Sequence, residues 1–124
     1  MIAFRNVFLK GFFKNIKFTM DIKILHQLPF NEILNFIEEN YKYTPSAFKN
    51  GALVNKEDEN QGSAKVLYFA QMNNISKDDT LLLFAEHYQA VLEDANGSSH
   101  QNIRNFMHYG WEGVSFESDV LIKK

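Results

Sequence analysis

The sequence predicts an all-α fold: a single small helical domain of about four to five helices, with an irregular connection in its middle and a short extended segment near its C-terminal end. Three observations carry that expectation. Apolar residues recur at three- and four-residue spacing through "PFNEILNFIEENY" and "TLLLFAEHYQAVL", the period of helices that bury one side. Helix starts and stops punctuate the chain at "YTP", "GS", "DANG" and "HYG". With 124 residues, 45% of them apolar, and twelve Phe and five Tyr, the chain has enough apolar mass for one core and is not disordered.

Residues 1–20 form a basic leader ahead of a helical domain over residues 21–124. The leader carries Arg5, Lys10, Lys14 and Lys17 and no acid, while Phe4, Phe8, Phe12 and Ile16 recur every four residues. Two readings stand: an amphipathic helix able to rest on an anionic membrane surface, or translated upstream sequence with Met20 as the true start. Charge interrupts its apolar run too often for a span or a secretory signal. The overall charge of −2 therefore hides an acidic body with nine basic and fifteen acidic residues. Such a body excludes nucleic acid as a partner.

In the body, Phe30, Ile33, Leu34, Ile37 and Tyr41 make the stripe of a first helix that should stop near Pro45, which disfavours helical geometry at Thr44. Asn50-Gly51 is a turn signal, and "GALVNKEDENQGS" reads as a connection with a short extended piece at Ala52 to Val54. A second helix should start around Gly62-Ser63, with Ser63 as its cap, and lie centrally because Ala64, Val66, Leu67, Phe69 and Ala70 point nearly all round. The third, capped by Ser76, should run unbroken through the stripe of Leu81, Phe84, Ala85, Tyr88, Val91 and Leu92. Ser98 and Gln101 make a capping box, so the fourth helix should start at Ser98 or Ser99 and close on Gly110. Trp111, Val114 and Phe116 should then fold onto the core.

On that fourth helix, His100 lies roughly 60° from the apolar direction, Arg104 about 100° and His108 about 140°, so the three side chains do not share a target. Two roles compete for His100 and Arg104. One is structural, with the imidazole bonding a loop and Arg104 pairing with Glu86 or Asp94. The other is an anion patch of Ser63, Lys65, His100 and Arg104, in which helix-start amides, two fixed cations and a protonatable imidazole converge. His87, beside the apolar stripe, reads as structural.

Neither a metal nor a cofactor is expected. There is no Cys, so no disulfide, thiolate ligand or thiol nucleophile exists, and a reducing cytosol is compatible. "NQGSAK" lacks phosphate-loop spacing, "DENQG" lacks the terminal Glu of a calcium loop, and no Ser sits in a nucleophile elbow.

Through "YTPSAFKNG", "NQGSAKVLYFAQM", "TLLLFAEHY" and "HQNIRNFMHYGWEGVSF", residues 28 to 121 resemble the HopJ type III effector proteins. The family pattern falls on Asn50, Gly62, Asn102, Gly110 and Trp111 as well as on Ser63, Lys65, His100 and Arg104. Ala64 stands where that pattern usually has Cys, which removes thiol chemistry there. The resemblance implies a small all-helical bacterial protein without an established mechanism, a family start near Met20, and an effector label that raises secretion beside a cytoplasmic location. Together these features favour a non-enzymatic binding or interaction module whose partner is an unknown protein or a small anionic ligand. The alternative is a small cytoplasmic enzyme or metabolite- or anion-binding protein.

Overall fold

A computed structural model describes residues 18–124. Helices α1 (Phe18–Leu25) and α2 (Phe30–Asn40) lead into strands β1 (Tyr41–Tyr43), β2 (Phe48–Asn50) and β3 (Leu53–Asn55). Then come α3 (Gln61–Met72), α4 (Lys77–Leu82), α5 (Glu86–Glu93) and α6 (Gln101–Tyr109). A 3-10 turn (Gly110–Gly113) precedes β4 (Val114–Phe116) and β5 (Leu121–Lys123). Helix α1 runs across the boundary drawn at residue 20, whereas Phe4, Phe8, Phe12 and Ile16, on which the amphipathic reading of the leader rests, lie outside the described residues.

The expected all-α class is corrected: the described residues hold two antiparallel sheets, β1 with β5 and β3-β2-β4 in that order. Tyr41 pairs with Lys123, and Asn50 pairs with both Leu53 and Val114. Each strand has three residues, too few for a two-residue alternation to register. Two of the three pairings also join segments far apart in the chain. The β2–β3 turn falls on Gly51-Ala52, where Gly51 alone takes positive φ (61°), as the first position of a tight hairpin turn requires.

Helix α3 is central as its composition predicts: Ala64, Val66, Leu67, Phe69 and Ala70 are all fully buried. Phe36 and Tyr41 meet the Phe69 ring edge-on at 6.0 and 5.7 Å. The predicted unbroken third helix is two helices. Ser76 caps α4 by accepting from the Asp79 amide (3.1 Å), but the chain turns at Ala85, whose φ is 53°. Leu83 lies off the expected stripe yet is as buried as Phe84, and a straight helix cannot turn Leu81, Leu83 and Phe84 to one side. Burying Leu83, worth about 1.5–3 kcal/mol, offsets the roughly 1–3 kcal/mol of an alanine held at positive φ.

The fourth predicted helix, α6, starts later than its capping box implied. His100 occupies the cap position in left-handed geometry (φ 53°), and the Gln101 side chain donates from Nε2 back to the Ser98 carbonyl instead of the Ser98 hydroxyl capping the helix. Its end is as expected, with Gly110 at φ 65°. Trp111 packs edge-on against Phe106 (4.8 Å) and donates from Nε1 to the Ile75 carbonyl (3.1 Å).

Candidate functional site

Four asparagines tie the starts of α3 and α6 to the small sheet. Asn50 Nδ2 donates to the Asn102 carbonyl (2.7 Å) and to Asn102 Oδ1 (3.0 Å), and Asn55 Nδ2 reaches the same Oδ1 (3.3 Å). Asn102 Nδ2 and Asn60 Nδ2 both donate to Asn55 Oδ1, at 3.0 and 2.7 Å. Asn50, Asn55 and Asn102 are buried, and their web, in which Asn50 Oδ1 is left without a partner, fixes the register between β2, β3 and α6. It also spends the Asn60 amide group on Asn55, and Asn60 stands at the start of α3 with φ 51° and no side-chain cap.

Between those helix starts lies a cleft of about 230 Å³, lined by Phe30, Phe84, Gly62, Ser63, His87 and His100. The two imidazole rings stand 5.0 Å apart, tilted by 43°. Phe30 meets His87 edge-on at 4.8 Å and stacks with Phe84 at 6.0 Å. Neither α3 nor α6 has a side-chain cap, so their first-turn amides retain free donors beside the cleft. The Ser63 hydroxyl adds another donor.

Next to His87, Glu86 Oε1 accepts from the Phe30 amide (2.9 Å) and so closes the start of α2. Burial opposes ionisation of this carboxyl, but the amides of Phe30 and of Glu86 itself, with His87 alongside, outweigh it and hold its pKa below the ordinary value.

The four residues of the anticipated anion patch divide among three places. Ser63 and His100 share the cleft, although Ser63 is the third residue of α3 and not its cap. Lys65 turns to Glu38 (3.0 Å) and lies over the Tyr43 ring (4.2 Å). Burial, then Glu38, raises the pKa of that tyrosine. Arg104 donates to the carbonyls of Ser99 and Ala95 (the latter at 3.2 Å) and lines a separate groove with Met107 and His108. The expected acid partners are elsewhere: Glu86 serves Phe30, and the Asp94 carboxylate lies against Gly97.

Of the remaining pattern residues, Asn50 and Asn102 belong to the asparagine web, Gly62 lines the cleft, and Gly110 and Trp111 close α6 onto the core. Sequence reasoning missed His87, Phe30 and Phe84 as cleft residues. No spacing signals their convergence, because α2 and α5 meet only through the break at Ala85. Among the described residues, no three His, Asp or Glu side chains gather as a metal site, and no helix is long and apolar enough to cross a membrane.

The HopJ type III effector protein family matches residues 8–121, and the chain belongs to it. A solved structure described as "Crystal structure of unknown function protein VPA0580" is 38% identical, with a TM-score of 0.81, over 88% of this chain and 95% of that one. Among curated proteins, none matches the chain.

Proposed function

We propose that this HopJ family member is a small binding protein whose cleft at His87 and His100 takes a small anion. The carrying observation is the pair of imidazoles 5.0 Å apart in a cleft also lined by the uncapped start of α3 with Ser63. Imidazoles that can carry protons, helix-start amides and a hydroxyl together supply donors and positive potential, the chemistry that holds a carboxylate or a phosphate. A general acid or base needs a reacting group in reach, and no nucleophile stands beside these rings in a hydrogen bond, so binding is favoured over catalysis.

A docking module for a protein partner has weaker support. The large exposed apolar side chains, including Val54, Met72, Leu82 and Ile122, sit on four different elements. The reading carries a location, the bacterial cytoplasm, with export as the rival raised by the family's effector description. Titrating inorganic phosphate at pH 6 into the protein and following amide resonances tests the binding claim. Saturable shifts at Ser63, His87 and Gln101 that vanish in His100→Ala are expected; their absence in the wild type refutes it.

A further inference from the structure

We propose that the ligand of the His87–His100 cleft is a monocyclic aromatic acid: one planar ring carrying a carboxylate. The inference rests on the anion-binding reading and adds the ring. Four aromatic side chains run unbroken along the cleft, Phe84 to Phe30 at 6.0 Å, Phe30 to His87 at 4.8 Å and His87 to His100 at 5.0 Å. These separations are those at which rings stack or meet edge-on, so a further ring finds partners of matching quadrupole. Ile103 is the one aliphatic lining residue.

Size narrows the class. A volume of about 230 Å³ lies below the ~300–1,000 Å³ of pockets that bury drug-sized ligands and suits one six-membered ring with its acid group. Polar groups share the cleft with the phenylalanines. Ser63, His100 and the starts of α3 and α6 receive the carboxylate while the ring lies toward Phe30 and Phe84. The Asn60 and Gln101 side chains also line the cleft, and each commits its amide nitrogen to protein, Asn60 to Asn55 and Gln101 to the Ser98 carbonyl. Their oxygens stay available to accept from an N–H or O–H on the ring.

Gly62 offers a clean perturbation. A methyl group added there would stand 3.5 Å from Phe30 Cε2 and 3.6 Å from Phe30 Cζ, in ordinary contact, so Gly62→Ala covers the exposed ring edge without displacing backbone. It also replaces a helical glycine, so stability should hold or rise.

The experiment compares benzoate, cyclohexanecarboxylate and acetate, equal in charge, by amide shift titration at fixed pH and ionic strength. Benzoate should bind about fivefold more tightly than cyclohexanecarboxylate and roughly twentyfold more tightly than acetate, with shifts at Ser63, His87 and Gln101. Gly62→Ala should lower benzoate affinity at least about fivefold while keeping its melting temperature, and Phe30→Leu should shrink the benzoate preference over acetate to about threefold. Equal binding of benzoate and cyclohexanecarboxylate, or undiminished benzoate binding by folded Gly62→Ala, overturns the aromatic ligand even when inorganic phosphate binds and the anion reading stands. Benzoate shifts confined to the groove of Arg104 and Met107 also overturn it. Absence of any shift with phosphate and with all three acids ends both readings.

Discussion

Replacing Asn102 by Ala removes the hub of the asparagine web without touching the hydrophobic core. Three side-chain hydrogen bonds disappear: one from Asn50 at 3.0 Å and two shared with Asn55 at 3.3 and 3.0 Å. At about 1 kcal/mol net apiece they sum to about 3 kcal/mol. Two partial compensations keep the figure from growing. Asn50 Nδ2 still reaches the residue 102 carbonyl at 2.7 Å, and Asn60 still satisfies Asn55 Oδ1 at 2.7 Å. Alanine returns roughly 0.5 kcal/mol through helix propensity. The expected net loss is about 2.5 kcal/mol, which for a domain of this size lowers the melting temperature by about 10 °C. Urea unfolding of wild type, Asn102→Ala, Asn50→Ala and the double variant measures both the loss and the coupling, expected at about 1 kcal/mol or more. A loss under about 1 kcal/mol, or strictly additive single effects, would refute the claim that these side chains act as one buried network.

Two further perturbations test neighbouring parts of the fold. In Gly51→Ala, the new Cβ would fall 2.1 Å from Tyr109 Cδ2 at a φ of 61°, so both the left-handed backbone and the Tyr109 packing suffer. A stability loss of about 2 kcal/mol or more is expected in chemical denaturation, and a neutral variant would mean that the hairpin turn relaxes freely. Glu86 bears on the acid limb of stability. Because its folded pKa is depressed, its contribution is fully present above the unfolded carboxyl value and is lost as pH falls through the folded one. Melting curves of wild type and Glu86→Gln should therefore differ at neutral pH and converge in acid; parallel curves throughout would remove the carboxylate from its role at the start of α2.

The sequence by itself determined the helices with their apolar sides, the central place of α3, the Ser76 cap, the Gly110 stop and the packing of Trp111, because each follows from local periodicity or from a residue whose backbone preference is strong. Resemblance of four segments also identified the HopJ family, which the match over residues 8–121 establishes. Tertiary structure decided the rest. Three-residue strands carry almost no periodic signal, and β1 and β5 stabilise each other only once Tyr41 and Lys123, far apart in sequence, have met, so the two sheets were invisible to local reasoning. The stripe that promised one long helix was cut at Ala85 by the need to bury Leu83, a demand set by neighbours and not by propensity. The candidate site divides the same way. Ser63 and His100 were legible as polar residues near helix starts, but their company was not: Lys65 is taken by Glu38, Arg104 by loop carbonyls, and His87 enters only because α5 restarts beside Phe30. Side-chain direction depends on which surface each helix buries against its neighbour, and that is settled by packing across the whole core.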